Sequence, residues 1–140
     1  MAGGLKTELS GDTITLTLPR GQEFWRVALL VVGGLAIRLN LTLESLEDLQ
    51  IAVESLLERT VRGEVVTLEL SLRDGSIEAL VGPVDGRAIT AELEREDAGG
   101  GVSLRRLLDT VADSFALVER DGTEWLSVEK RVLSEGHGAG

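Results

Sequence analysis

Asp48–Val61 reads DLQIAVESLLERTV, and the spacing of its apolar residues decides how the rest of the chain must be arranged. Leu46, Leu49, Val53, Leu56 and Leu57 recur at three- and four-residue intervals, and Thr60 continues the line. That is one continuous face of an α-helix, which must be buried against another layer. Thr42 stands where an N-cap belongs, with Glu44 and Glu47 near the positive end of the helix dipole. Gly63, after Arg62, suits the left-handed cap at the other end. Glu44, Glu47, Asp48, Glu54 and Glu58 fall off the stripe and form an acidic flank, read as a solvated face with a partner surface as the alternative.

Upstream, Glu23 to about Leu39 is a mainly apolar helix, weakest at Gly33–Gly34 and broken at Asn40–Thr42. Its centre, Leu29–Val32, is expected to be buried against a sheet. Before it, TITLTLP (Thr13–Pro19) alternates Ile14, Leu16 and Leu18 with threonines, a half-buried strand stopped by Pro19. Downstream, VVTLELSL and SIEALV alternate around Asp74–Gly75, a hairpin. A loop at Gly82–Gly86, a short helix in Arg87–Glu96 and a glycine joint at Ala98–Gly101 follow. The helix VSLRRLLDTVAD and a second hairpin, FALVER and TEWLSVEKRV around Asp121–Gly122, complete the pattern. The order β-α-α-β-β-loop-α-β-β implies an α+β fold: a two-layer sandwich with one mixed sheet covered on one face by helices. Residues 1–12 are expected to be a flexible N-terminus, 13–132 a single domain and 133–140 a disordered tail.

Composition narrows the chemistry. With no Cys, thiolate nucleophiles, thiolate metal sites and disulfides are excluded. The single His, His137, sits in the tail SEGHGAG, which argues against a histidine base, a histidine triad or a histidine-ligated metal. No metal site is expected. Any catalysis falls to carboxylates, Arg, Ser/Thr and backbone amides. A formal charge of −10 repels the nucleic-acid backbone, and the basic doublets Arg105–Arg106 and Lys130–Arg131 make no patch. The most apolar run, Phe24–Ile37, is interrupted by Arg26 and is shorter than the roughly 20 residues of a spanning helix. The acidic segment before it is unlike a secretory signal. A cytoplasmic protein that binds neither nucleic acid nor membrane is the expectation. Trp25 and Trp125 are read as core or sheet-surface residues in a chain otherwise poor in aromatics.

This order of elements, with a glycine-rich segment before the last helix and hairpin, is similar to the ATP-binding fold of the GHKL (histidine kinase-like) ATPase superfamily. More narrowly it resembles the small bacterial anti-sigma regulatory factors, which are serine kinases. Three stretches carry the resemblance: LTLESLEDLQIAVESLLERTV, LVGPVDG (Leu80–Gly86) and AGGGVSLRRLLDTVADSFALVERDGTEWLSVEKRV. In the family the first holds a Glu and, four residues later, an Asn that face the nucleotide. The second stands where an Asp-x-Gly-x-Gly loop follows a strand. The third matches the glycine-rich lid end, helix and closing hairpin.

Carried over residue by residue, the resemblance places Ser55 at the general-base position and Arg59 at the Mg²⁺-ligand position. A serine is too weak a base, and a guanidinium offers a cation no oxygen. A one-residue slip offers Glu54 and Glu58 as a fallback carboxylate pair, at the cost of turning the helix by about 100°. In the loop, Leu80 falls where an adenine-reading Asp belongs, Gly82 on the first glycine and Val84 on the second, with Asp85 and Gly86 close by. Leucine accepts no hydrogen bond, and valine lacks glycine's backbone freedom. Gly99, Gly100 and Gly101 offer backbone amides at the start of the following helix, as a generic anion site or as a hinge. The resemblance therefore implies a degenerate member. Its expected action is protein–protein binding to a sigma factor or an anti-anti-sigma protein, as a homodimer, without cofactor or kinase activity. The alternatives are an ATP- and Mg²⁺-binding serine kinase with a reworked site, and a module whose vacated pocket holds a more apolar ligand.

Overall fold

The computed structural model describes residues 6–10, 13–59, 64–95 and 103–131. Strands β1 (Lys6–Ser10) and β2 (Thr13–Pro19) precede helices α1 (Gln22–Leu39) and α2 (Leu43–Arg59). Strands β3 (Val65–Arg73) and β4 (Ser76–Gly82), helices α3 (Gly86–Glu94) and α4 (Leu104–Val111), and strands β5 (Ser114–Arg120) and β6 (Thr123–Arg131) follow. The strands form one sheet in the order β1-β2-β3-β4-β6-β5.

The periodicities translate directly into burial. Leu16, Leu68, Val81, Leu126 and Leu117 face one another across five strands, and four of the five are essentially inaccessible. Alternate residues share a face, so this row and the parallel row through Leu70, Ala79 and Val128 lie under the helices. From α2, Leu49, Val53, Leu56 and Leu57 are each at most 1% exposed and join the same cluster. Burying each such leucine contributes about 1.5–3 kcal/mol. Lys130 of β6 reaches up to α2 and pairs with Asp48 at 3.0 Å, both half-buried, so an ion pair also ties the layers together. Thr42 caps α2, its hydroxyl accepting from the Ser45 N–H at 3.0 Å.

Three expectations need correction. Every strand pairing is antiparallel, so the sheet is not mixed. The α1–α2 hairpin returns the chain to the edge it left: Pro19 pairs with Val65, and the Arg20 N–H donates to the Glu64 carbonyl at 3.0 Å. The next strand therefore has to run back along β2. Strands β4 and β5 run the same way, but β6 lies between them. The N-terminal segment expected to be flexible contains β1, paired with β2 over Lys6–Ser10. Within the apolar run of α1, Ala28 and Val32 are buried and Leu29 and Val31 pack against the core, but Leu30 is 74% exposed. The tail 133–140 lies outside the described residues.

Candidate functional site

The site implied by the sequence lies where α2, the β4–α3 loop and α4 converge. Helix α2 packs on α1 along one side and on α4 along the other. Ser55 is on the buried part of its circumference, 6% exposed, beside the equally buried Ala52 and Leu56. Arg59 ends the helix, one turn further on; its side chain lies outside the described residues. Around them, Val84 from the loop, Ile89 from α3 and Leu104 and Leu108 from α4 are at most 5% exposed and belong to the central apolar cluster. A side chain lining a water-filled cleft would retain accessible area. These do not, so among the described residues these four side chains belong to the core.

The fallback carboxylates stand elsewhere. Glu54 and Glu58 are exposed. Glu54 lines a cleft of about 410 Å³ with Gln22, Glu23, Trp25, Arg26 and Leu29, on the α1 side of α2. A slip that used the pair would have to turn the apolar stripe of α2 out of the core.

Leu80 is on the opposite face of the sheet. It alternates with Val81, which is fully buried under the helices, and in the register it lies between Glu69 and Ser127. Leu80 is itself buried but outside the central cluster. A residue there cannot meet anything bound between the sheet and α2, so the sequence alignment of this loop put the position on the wrong side. A one-residue difference in strand register exchanges the two faces.

The two glycines of the loop have local work. A Cβ on Gly82 would come within 2.8 Å of the Trp125 ring, which lies across the strand at that point. The Arg120 guanidinium stacks over the same ring, 4.8 Å from its centroid, and makes a bidentate pair with Glu69 at 3.2 and 3.1 Å. The hydrogen bond that Arg120 donates to Glu69 is the first cause of a raised Arg120 pKa, and desolvation by burial opposes it. Glycine, indole, guanidinium and carboxylate thus close the helix-free face of the sheet as a stack. The buried indole N–H has no acceptor among the described residues, so stacking rather than a hydrogen bond fixes the ring.

Gly86 opens α3, and its N–H donates to Glu124 Oε1 at 2.9 Å. A Cβ there would overlap the Glu124 carboxylate. Asp85 is the N-cap, accepting from the N–H groups of Arg87 and Ala88. The Val84 N–H donates to the Glu124 carbonyl at 2.9 Å. The positive end of α3, a natural seat for an anion, is therefore occupied by two carboxylates of the protein itself. Sequence reasoning found Asp85 and Gly86 but missed Glu124. Its only signal was a position beside the Asp121–Gly122 turn, facing Glu119 in the hairpin register.

The N-terminus of α4 is different in character. Ser103 caps it, accepting from the Arg106 N–H at 3.2 Å. Arg95, Arg105 and Arg106 surround a cleft there together with Leu93, Glu94, Ser103 and Asp109. Arg105 donates to the Leu93 carbonyl at 3.0 Å and lies over Phe115, rather than pairing with Asp109. The glycines 99–101 lie outside the described residues. Among the described residues, no His, Cys, Asp and Glu grouping suits a metal, and no helix is long and apolar enough to cross a membrane.

No family model matches the chain. Its sequence is similar to the serine-protein kinase RsbW of Halalkalibacterium halodurans, 29% identical over 132 residues that span 79% of this chain and 78% of that protein. The helix pair, the loop after β4 and the closing helix-and-hairpin follow the arrangement read from the sequence, and the antiparallel sheet with four helices is compatible with the histidine kinase-like sandwich. The chain is thus similar, over most of its length, to a serine-protein kinase of the kind the sequence resemblance pointed to.

Proposed function

We propose that the protein is an anti-sigma-type regulator that acts by holding and releasing protein partners, with the nucleotide site and kinase activity of its family lost. The observation that carries this reading is Ser55. By resemblance it aligns with the general-base position of α2; it is 6% exposed, and its hydroxyl supplies no carboxylate. Phosphoryl transfer to a hydroxyl needs a base or orienting acceptor at the nucleophile and an oxygen ligand for Mg²⁺. Serine at one position and arginine at the other supply neither. Val84 argues in the same direction, since it packs into the core where the resemblance expects a glycine.

On this reading the fold is kept for its surfaces. The partner is a sigma factor or an anti-anti-sigma protein, the site of action is the cytoplasm, and the working form is a homodimer. No cofactor takes part. The test is phosphoryl transfer: purified protein, ATP, Mg²⁺ and candidate sigma-factor and anti-anti-sigma partners. Complex formation without labelling of any partner supports the reading. ATP turnover that disappears on mutation of the α2–α4 junction would sink it.

One observation favours a second reading, an ATP-binding serine kinase with a reworked site. Arg95, Arg105 and Arg106 gather at the α4 N-terminus, where guanidinium groups and helix dipole together suit a phosphate. Glu94 and Asp109 in the same cleft oppose an anion. If this reading holds, an Arg105→Ala, Arg106→Ala double variant abolishes nucleotide binding with the fold intact.

A further inference from the structure

Five large aliphatic side chains are exposed among the described residues, and four of them lie on one structure, the α1–α2 hairpin. Leu30 and Ile37 on α1 are 74% and 80% exposed; Leu43 and Ile51 on α2 are 68% and 42% exposed. Leaving four such side chains in water forgoes the burial that the same leucines and isoleucines gain elsewhere in the core. Their spacing is regular. Leu30 and Ile37 are seven residues apart, two turns on the same side of α1, and between them Gly34 has open space where a Cβ would be. On α2, Ile51 sits in a line with Glu44, Glu47, Glu54 and Glu58, all exposed and all within about 80° of the helix circumference. The seam between the helices is closed by Gln50, which donates to the Leu29 carbonyl at 3.2 Å. At its end the seam opens into the cleft of Glu23, Trp25, Arg26 and Glu54. Two carboxylates against one guanidinium leave that cleft net negative beside an indole, a combination that accepts a cationic side chain.

We propose that the outer face of the α1–α2 hairpin docks a basic, amphipathic helical segment of another protein. The apolar stripe of that segment lies over Leu30, Gly34, Ile37 and Ile51, and its Lys or Arg residues meet the carboxylate line of α2 and the Trp25 cleft. The inference rests on the reading of the protein as a partner-binding regulator and names the chemistry of the partner. Charge selects this occupant. A second copy of the chain, placed on the same face about a two-fold axis, would set glutamates against glutamates on a molecule of charge −10. An anionic lipid surface would be repelled by the same line. A basic helix satisfies both halves of the face at once.

The experiment uses the full chain and a synthetic helix of about 18 residues with a leucine stripe flanked by lysines. One control peptide has the same composition in scrambled order; another has glutamate in place of lysine. Fluorescence anisotropy should give saturable binding of the first peptide and at least tenfold weaker binding of both controls. Amide shifts should fall on α1 and α2. The Leu30→Ser, Ile51→Ser double variant should lose at least tenfold in affinity, Glu47→Lys with Glu54→Lys should do the same, and Val65→Ser, an exposed aliphatic outside the face, should change nothing. Equal binding of the scrambled peptide, shifts centred on α3 and α4, or indifference to both double variants would overturn the docking face. None of these readouts involves nucleotide or phosphoryl transfer, so failure here removes this face and leaves the regulator reading to the labelling assay.

Discussion

Gly82 and Ser55, from two of the stretches that carry the resemblance, are held by different constraints. At Gly82 the requirement is steric: a Cβ would sit 2.8 Å from the Trp125 ring. Gly82→Ala is therefore expected to lower stability by about 1–3 kcal/mol, the usual cost of overpacking. Urea unfolding would measure it, and the penalty should shrink in a Trp125→Ala background, where the ring is gone. At Ser55 the constraint is burial, with 6% of the residue exposed. Ser55→Glu, which restores the carboxylate that the family resemblance implies, would bury a charge among Ala52, Leu56 and the α4 leucines. It is expected to cost several kcal/mol and to confer no ATP binding. Thermal unfolding and nucleotide titration of that variant check both halves. Arg120 carries a pH expectation. Its folded-state pKa is raised above the ordinary arginine value by Glu69, so the pair's contribution is complete below that value and is lost only as pH climbs through the raised one. Arg120→Gln should thus cost the same, within the range of about 0.2–1 kcal/mol for an exposed pair, anywhere between about pH 6 and 9. The side-chain chemistry of Ser55 and Arg59 is readable from sequence, and the proposal of a lost site rests on it. The facing of Leu80 is not. It depends on strand parity, and the loop alignment that matched Gly82 to a family glycine fixed that parity wrongly.

At the scale of elements, α3 is held at its start by two carboxylates with separable roles. Asp85→Ala removes an N-cap and is expected to cost about 1 kcal/mol. Glu124→Ala leaves the Gly86 N–H without its acceptor and should cost a similar amount. Gly86→Ala should cost more than either, and removing Glu124 as well should recover part of the loss, because the clash is with that carboxylate. A double-mutant cycle on chemical denaturation would report the coupling. The strands and long helices were legible because burial imposes periods of two and 3.6 on the sequence. β1 was not. KTELS has one apolar residue and no alternation, and its strand state comes from the register with β2, a long-range property. The all-antiparallel sheet was likewise hidden, since element order alone does not say that β6 inserts between β4 and β5.

For the whole molecule, the sheet row, the α2 stripe and the Lys130–Asp48 pair hold the helices on the sheet, and Val84, Leu104 and Leu108 are buried beside α2. Among the described residues, four of the five exposed large aliphatic side chains lie on the α1–α2 hairpin. On the proposed reading, fold and surface carry the function and the buried junction binds no nucleotide. Calorimetric titration of the purified protein with ATP and with ADP, each with and without Mg²⁺, tests that claim most directly. The account predicts no saturable heat at any ratio and no rise in unfolding temperature with nucleotide. Saturable micromolar binding would contradict it, and would mean that the junction of Ser55, Val84 and Leu104 opens to admit a nucleotide.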